Sequence, residues 1–457
     1  MLRQSLQRWL CPKRLADFRR RLSHNDAQRG WQLERLEERD VPAVGAVMSL
    51  EDLGITITPF DVGDGTWFLT NDLLPNDPRL ITPHNLNAAD TTNADQLWNG
   101  GGLGLNLDGK GVTVGVWDGG AVRSTHQELT GRVTIVDGAS PADHATHVGG
   151  TIGATGVSGP ARGMANQVQI RSYDWTNDTT EMSAAAATIQ LSNHSYGSIR
   201  GWAFYNWGGS VGVADSWFAD RTVYATEDPG FGSYDASAQT LDQVLFNNPT
   251  LLSVWSAGND RNNVFTNYRG DSKYVTYLSG GGGGPGWYLV TNSGATSAPG
   301  GDGNNGTGYD SLPFVPKNNL TVGAINDITA DPYTNADVTM TSFSSWGPAD
   351  DGRVKPDIVA NGASLTSSFS TSDTAYGIMS GTSMAAPNAT GTLALLVQHY
   401  RNLYGAGINP LSATIKGLAI HSAFDAGNKG PDYVYGWGVL DAAAAAAFLT
   451  NTTNPFS

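Results

Sequence analysis

Ser380-Gly381-Thr382-Ser383-Met384-Ala385-Ala386-Pro387 stands at the start of the longest helical pattern in the sequence. Apolar residues recur at a spacing of about 3.6 residues from Leu393 to Leu403, which predicts a helix over 384–404. A serine at a helix start is usually an N-cap, so Ser383 alone says little about function. The function of Ser383 can be inferred only together with the segments that precede it in the chain.

From about residue 91, strand-like apolar runs alternate with helix-like segments and loops rich in Gly and Asn. This alternation is typical of a sheet whose strands are mostly parallel. Four runs are candidates for buried strands: 111–117, 189–191, 250–255 and 319–325. The sequence therefore predicts an α/β fold with a mostly parallel central sheet flanked by helices.

Three further polar residues occupy positions that such a sheet would bring together. Asp118 and Asn259 follow predicted strands, and His144 begins a helix of small residues. The carboxyl ends of parallel strands and the helix starts beside them converge on one crevice, so we expect these three to meet Ser383. A serine becomes nucleophilic when an imidazole takes its proton, and a buried carboxylate holds that imidazole in the required tautomer. The Asn259 amide and the N–H at the start of a helix suit a developing oxyanion.

Two other motifs are weaker. The run from Gly104 to Lys110 is close to a phosphate-binding loop, but Gly111 stands where a Ser or Thr would hold magnesium. His144 and His147 have the spacing of a zinc pair, but the glutamate of the H-E-x-x-H motif is absent. A metal-dependent hydrolase that uses these two histidines is an open alternative, with its other ligands unknown.

The chain has 457 residues and a formal net charge of −15. An acidic chain lacks the basic footprint of a nucleic-acid-binding protein, and no apolar run of about 18 residues predicts a membrane span. Cys11 is the one cysteine, which excludes an intramolecular disulfide. We expect a monomer.

Charge is unevenly distributed along the chain. Residues 1–40 hold 10 basic and 6 acidic side chains. The asymmetry predicts four parts: a basic leader or targeting segment (1–43), a presegment or linker with little regular structure (44–90), the main domain (91–450) and a tail (451–457). The leader lacks the apolar region of a standard secretory signal, but its end, Leu36 to Ala43, resembles a leader motif of exported bacterial proteins. We expect an extracellular or cell-envelope location. The alternative is that this segment forms an amphipathic basic helix with no targeting role.

In order and residue type these segments resemble the subtilisin-like serine peptidases, the subtilase family. Residues 380–387 are similar to its G-T-S-M-A-x-P signature and residues 144–148 to its H-G-T-H-V motif. Residues 343–360 resemble its S-x-R-G-P and K-P-D-I stretch. The resemblance spans about 100–445 and implies a three-layer subtilisin-like fold. It also implies a secreted serine endopeptidase that hydrolyses peptide bonds through an acyl-enzyme.

The resemblance implies roles for individual residues. Ser383 would be the nucleophile, His144 the general base and then acid, and Asp118 the residue that orients His144. Asn259 would form the oxyanion hole with the Ser383 N–H. The implied substrate-binding positions are Ser195, Tyr196 and Gly197 along an extended peptide, and Ala257 and Gly258 in the wall of the P1 pocket.

The family also implies polypeptide substrates, no cofactor for the chemistry, and structural calcium in many members. Glu128 matches a position that ligates calcium in some of them. Two departures from the family pattern leave open a catalytically silent binding protein on the same fold. Gly119 replaces the usual Ser or Thr after the aspartate, and Ala145 replaces the glycine beside the histidine, where a glycine-only backbone angle would be strained.

The segment between His144 and Ser383 is longer in this chain than in compact members of the family. The extra length lies mainly in 200–250 and 261–315. We expect its tryptophans to be buried in an enlarged core: Trp202, Trp207 and Trp217. The side chain preferred at P1 is open, although Asp260 favours a basic or polar one.

Overall fold

A seven-stranded parallel sheet forms the centre of the chain, in a computed structural model that describes residues 60–61, 67–68, 85–280 and 284–451. The described residues belong to one unit, Pro59–Ser457. The predicted leader and all but the first residue of the predicted tail lie outside the described residues. Both assignments stay predictions.

The elements alternate along the chain much as the sequence pattern indicates. In chain order the described strands are β1 (Phe60–Asp61), β2 (Trp67–Phe68), β3 (Thr113–Asp118), β4 (Val133–Ile135), β5 (Gln169–Asp174), β6 (Leu191–His194), β7 (Trp202–Asn206), β8 (Val213–Asp220), β9 (Leu252–Ser256), β10 (Lys273–Leu278), β11 (Gly286–Thr291), β12 (Leu320–Ile325), β13 (Ile358–Asn361), β14 (Leu365–Ser368) and β15 (Tyr376–Met379). The described α-helices are α1 (Asn85–Thr91), α2 (Asp143–Gly153), α3 (Asp178–Ala185), α4 (Ala236–Asn247), α5 (Thr382–Tyr404), α6 (Ser412–Ser422) and α7 (Ala442–Asn451).

The central sheet has the strand order β13-β12-β9-β6-β3-β5-β4, and each neighbouring pair is parallel. Every residue of β6, β12 and β13 is buried, because helices cover both faces of the sheet. Three of the predicted strands, 111–117, 250–255 and 319–325, correspond to β3, β9 and β12, while the fourth, 189–191, ends at the first residue of β6. The predicted helix corresponds to α5. The α/β fold is confirmed.

Alternate residues of the strands face two different helical layers. Val114 and Val116 of β3 share a core with Val148 of α2 and Leu393 of α5. Trp117 faces the other way, into a cluster with α3 and α4 side chains such as Met182 and Leu241. Because successive strand residues point to opposite faces, one sheet holds together three layers.

The packed unit begins before residue 91. Within the predicted presegment, β1 and β2 pair antiparallel, and α1 begins at Asn85. Ala88 and Ala89 of α1 are fully buried in the same core as Leu449 of α7. Among the helices described, none is both long and apolar enough to cross a membrane.

Part of the extra length forms a second sheet, with the strand order β11-β10-β8-β7. Trp202 and Trp217 are buried on it and stack edge to face, with ring centroids 5.3 Å apart. Trp207 is only partly buried, since it lies in a half-exposed group of rings with Tyr205 and Trp287. The expected burial is therefore seen for two of the three tryptophans.

Candidate active site

Asp118 and His144 form a buried pair at the carboxyl edge of the central sheet. Asp118 ends β3 and is 1% exposed, and His144 is the second residue of α2. His144 Nδ1 lies 2.7 Å from Asp118 Oδ1 and 2.9 Å from Oδ2. An ionised carboxylate only accepts, so in the neutral ring Nδ1 carries the proton and Nε2 is left as a base.

The two departures beside this pair remove no interaction from it. The Gly119 N–H donates to Asp118 Oδ1 over 2.8 Å, so a backbone group supports the carboxylate. A Cβ on Gly119 would lie 2.9 Å from the Trp175 ring, which takes the space of a side chain there. Ala145 lies inside α2 without a positive φ, and its methyl group is buried in the core. Neither the missing hydroxyl at 119 nor the extra methyl at 145 strains the site.

Ser383 is the second residue of α5 and is 4% exposed. Its hydroxyl donates to the Ser195 carbonyl over 2.9 Å, and the Ser195 hydroxyl donates to the Ser383 carbonyl over 2.9 Å. This reciprocal pair fixes the start of α5 to the segment that follows β6. A rotation about the Ser383 Cα–Cβ bond redirects its hydroxyl without moving the helix.

Asn259 is held in one orientation by Thr382. Its Oδ1 lies 2.9 Å from the Thr382 N and 3.0 Å from the Thr382 Oγ1. Because a backbone N–H only donates, the atom facing it is the amide oxygen, and the Nδ2 donor faces away. A Cβ on Gly381 would lie 3.5 Å from both Asn259 Nδ2 and Ser383 N. The Asn259 amide nitrogen and the Ser383 backbone nitrogen therefore border the same point at a helix start, an arrangement that can stabilise an oxyanion.

The predicted substrate-binding residues follow two neighbouring strands. Ser195, Tyr196 and Gly197 continue β6, and Gly258 lies two residues beyond β9, which pairs with β6 in parallel. The Gly258 N–H donates to Thr382 Oγ1 over 3.2 Å, which ties this segment to the start of α5. The Ala257 side chain is buried with Leu312, Val315 and Ala349, so only its backbone can border a pocket.

A row of stacked rings underlies these residues. Neighbouring centroids lie 4.2, 5.2 and 4.3 Å apart along the row Tyr173, Trp117, His194 and Trp255. Trp117 directly precedes Asp118, and His194 directly precedes Ser195, so the row fixes the spacing of the strand ends that carry the site. Sequence reasoning missed His194, although an aromatic ring before each polar strand end was a usable signal.

His194 also supports the segment after β6 through hydrogen bonds. Burial lowers the pKa of His194 to about 3, so the ring is neutral. Its Nδ1 lies 2.9 Å from the Tyr196 hydroxyl, which donates to Asp178 Oδ2 over 2.7 Å. Burial, and then the charge of Asp178, raises the pKa of Tyr196 well above its usual value, so the phenol keeps its proton.

The two histidines of the alternative metal pair are held by different partners. His147 Nε2 lies 2.9 Å from the Leu365 carbonyl, and burial lowers the pKa of His147 to about 3. The neutral His147 ring donates to that carbonyl, while His144 Nδ1 donates to Asp118. This arrangement does not favour a shared zinc ion, and the part of the chain described holds no group of three His, Cys, Asp or Glu side chains placed to bind a metal.

Glu128 does not fit the calcium position suggested by the resemblance. Its carboxylate is fully buried and accepts from the backbone N–H groups of Gly156, Val157 and Ser158 over 2.7–3.0 Å, and from the Tyr376 hydroxyl over 2.8 Å. Burial alone would raise the pKa of Glu128, but these donors lower it below its usual value. Donors occupy the directions from which a cation would have to approach.

Comparison with known proteins adds a family match. The family whose model matches this chain is described as the subtilase family, Peptidase_S8, over residues 109–438. The C5a peptidase of Streptococcus pyogenes is 41% identical over 71 residues, which make up 16% of this chain and 6% of that protein. The serine protease AprX of Bacillus subtilis (strain 168) is 36% identical over 115 residues, 22% of this chain and 26% of that protein. The matched stretches thus cover a small part of these relatives' length.

Solved structures with a similar chain path are proteases of low sequence identity. A lanthipeptide protease has a TM-score of 0.49 and 17% identity, covering 80% of this chain and 95% of that one. The prenylagaramide maturation protease PagA has a TM-score of 0.46 and 20% identity, covering 74% of this chain and 94% of that one.

Proposed function

The chain belongs to the subtilase family, and on that premise we propose that it is a serine endopeptidase that cleaves polypeptides through an acyl-enzyme on Ser383. The observation that carries the proposal is the buried Asp118–His144 pair, 2.7 Å apart, at the sheet edge where Ser383 and Asn259 also lie. This is the inventory of nucleophile, base, orienting carboxylate and oxyanion donors that acyl transfer requires.

In the first half of the reaction the Ser383 hydroxyl leaves the Ser195 carbonyl and gives its proton to His144 Nε2. The Ser383 Oγ forms a bond to the substrate carbonyl carbon, and the carbonyl oxygen becomes an oxyanion. The Ser383 N–H and Asn259 Nδ2 donate to that oxyanion, and Asp118 stabilises the imidazolium. His144 then protonates the departing amine as the C–N bond breaks.

In the second half a water molecule takes the place of the amine. His144 removes a proton from this water as its oxygen bonds to the acyl carbon, and the same two donors stabilise the second oxyanion. The ester bond to Ser383 then breaks, and His144 returns a proton to the Ser383 Oγ. The products are a carboxylic acid and the free enzyme, and no cofactor takes part.

Substrate binding uses the segment from Ser195 to Gly197. An extended peptide lies beside it and exchanges backbone hydrogen bonds with it, as an added strand would. The Ser195 carbonyl that holds the resting Ser383 hydroxyl is one of the acceptors there. A substrate N–H that binds this carbonyl frees the Ser383 hydroxyl to turn towards His144.

The test uses the purified full chain, a fluorophosphonate probe, and Ser383→Ala and Ser380→Ala variants. We expect the wild type and Ser380→Ala to be labelled and to cleave casein, and Ser383→Ala to do neither. Ser380 is the matched control, because it lies in the same segment but its hydroxyl accepts from the Ser364 N–H. A folded wild-type protein that is not labelled would contradict the proposal and favour the silent binding protein.

The same preparation tests the metal-dependent hydrolase. We expect activity to survive a zinc chelator, since His144 and His147 face separate partners. Activity that is lost with chelation and restored by zinc, without labelling of Ser383, would favour the metal-dependent reaction.

The predicted basic leader, residues 1–43, supports a location outside the cytoplasm, in the cell envelope or the medium. Fractionation of a culture that expresses the full chain tests this location. Size-exclusion chromatography with light scattering tests the expected monomer. Structural calcium has no supporting ligand set at Glu128, and its effect is measured directly by melting the protein with calcium and with EDTA.

A further inference from the structure

Pro313 lies between Gly258, in the wall of the proposed P1 pocket, and Gly197, at the end of the segment proposed to bind the extended peptide. The P1 pocket is the space for the side chain on the acyl side of the cleaved bond. A Cβ on Gly258 would lie 2.7 Å from Pro313 Cδ and 2.9 Å from its Cγ. A Cβ on Gly197 would lie 3.6 Å from the same Cγ. One pyrrolidine ring therefore lies next to both segments, in the space between Gly258 and Gly197.

The segment that carries Pro313 is held on several sides. Leu312 and Val315, which flank it, are fully buried with Ala257 and Ala349. The Leu312 carbonyl accepts from the Gly232 N–H over 2.9 Å, and the Val315 carbonyl accepts from Arg353 Nη2 over 2.9 Å.

Further contacts continue on either side of these anchors. The Ser311 N–H donates to the Trp346 carbonyl over 3.0 Å, and the Phe314 ring lies 4.6 Å from Trp255, centroid to centroid. Pro313 itself is buried, and its ring has no free side-chain rotation. It cannot leave the pocket without breaking the packing around it.

We infer that Pro313 makes the P1 pocket shallow, so that the enzyme accepts small side chains such as Ala, Ser and Gly at P1 and rejects large ones. The inference rests on the proposed peptidase function and names the substrate class of the same site. A large side chain would have to displace buried atoms, and interiors packed at protein density resist such insertion.

Asp260 borders the same space but does not make the pocket selective for cationic side chains. Its Oδ2 would lie 2.9 Å from a Cβ on Gly258. Burial raises the pKa of Asp260 to about 7, and the charge of Asp228 contributes to the rise. Near neutral pH the carboxyl is therefore protonated in a large share of molecules, which weakens its attraction for lysine or arginine. The size of the P1 side chain, not its charge, therefore dominates the selection of substrates.

The experiment measures kcat/KM for otherwise identical peptides with Ala, Phe or Lys at P1. For the wild-type full chain we expect kcat/KM for Ala to exceed that for Phe and for Lys by about 100-fold, since even one methylene group in a hydrophobic pocket changes this constant by about 10- to 200-fold. Pro313→Ala removes the Cγ and Cδ atoms that close the pocket. It should raise kcat/KM for Phe about 10-fold and change that for Ala little. Pro285→Ala, at an exposed turn before β11, is the matched control.

The remaining outcomes also decide whether the inference on Pro313 holds. A wild type that prefers Phe, or whose preference is the same in folded Pro313→Ala, overturns the inference. A preference for Lys overturns it in favour of selection by Asp260. If Pro313→Ala does not fold, the wild-type peptide series alone decides. A protein that is labelled at Ser383 but does not discriminate among the peptides refutes only this inference, whereas a protein with neither labelling nor hydrolysis refutes the proposed function as well.

Discussion

The donors of the proposed oxyanion hole are oriented by residues that do no chemistry. Thr382 holds the Asn259 oxygen through two contacts of 2.9 and 3.0 Å, which turns the Nδ2 donor the other way. Gly381 leaves open the space that this Nδ2 and the Ser383 N–H share. Because these positions are fixed before substrate binds, little reorganisation is needed when the oxyanion forms.

Asn259→Ala should therefore lower kcat with little change in KM. The lost donor acts on charge that exists only during the reaction, and removing the equivalent donor of a subtilisin costs about 10²–10³ in kcat. Steady-state kinetics on a peptide with Ala at P1 measures the effect. Asn247→Ala, at the exposed end of α4, is the control. An unchanged kcat would show that Asn259 is not an oxyanion donor.

At this scale the sequence identified residues with reactive groups and missed those that act by position. The proposed roles of Asp118, His144 and Ser383 could be assigned from sequence because acyl transfer restricts the residue types and the fold restricts their places. The role inferred for Pro313 could not, because it rests on proximity to Gly197 and Gly258, which are distant in the chain. No pattern of spacing encodes which loop closes a pocket.

At the scale of elements, four of the seven central strands could be predicted, and the second sheet could not. The strands β3, β9 and β12 are rich in apolar residues, as expected for strands covered on both faces, whereas β6 is polar after Leu191 and the prediction ended at its first residue. The strands β7, β8, β10 and β11 mix aromatic and polar residues because one face is half exposed, and glycine-rich loops separate them. Their pairing is set by contacts between distant segments.

Glu128 is the residue that stabilises the turn after α2. The backbone N–H groups of Gly156, Val157 and Ser158 all donate to its buried carboxylate. These bonds connect the turn to the segment before β4. A charged acceptor with this many donors stabilises the turn without a metal ion.

Glu128→Gln should lower the free energy of unfolding by about 3 kcal/mol, because an amide group replaces a charged acceptor and one of its N–H groups faces backbone donors. Glu181→Gln should lower the free energy of unfolding less, because it affects one hydrogen bond, which the Trp117 indole N–H donates to Glu181. Urea unfolding measures both, with calcium and with EDTA. If Glu128→Gln lowers the free energy of unfolding only with calcium present, the interpretation that Glu128 stabilises the turn without a metal ion is wrong.

At the scale of the whole molecule, acidic groups outnumber basic ones, with 42 Asp+Glu against 27 Lys+Arg. Some carboxyls are consequently close to others of the same charge. Burial, and then the charges of Asp350 and Glu227, raises the pKa of Asp310 to about 7 from an ordinary 3.8. The folded state thus keeps a proton between pH 3.8 and 7 that the unfolded chain has lost.

Stability therefore decreases as the pH rises through this interval on account of Asp310, and the loss is complete above pH 7. Asp310→Asn removes the titrating group, so the difference in Tm, variant minus wild type, should increase from pH 5 to pH 8. Calorimetry at several pH values measures it, with the exposed Asp271→Asn as a control for lost surface charge. A variant whose Tm, relative to the wild type, falls from pH 5 to pH 8 would contradict this assignment of the raised pKa to Asp310.

The order of strands in the central sheet has a consequence for when the proposed catalytic crevice forms during synthesis of the chain. Asp118 emerges from the ribosome 265 residues before Ser383, and β3 must pair with strands that follow it before the crevice exists. Sheets built from distant segments form late and slowly. A nascent chain that ends before α5 contains the proposed base and orienting carboxylate but not the proposed nucleophile. On the proposed function, this topology delays peptidase activity until nearly the whole domain has been made.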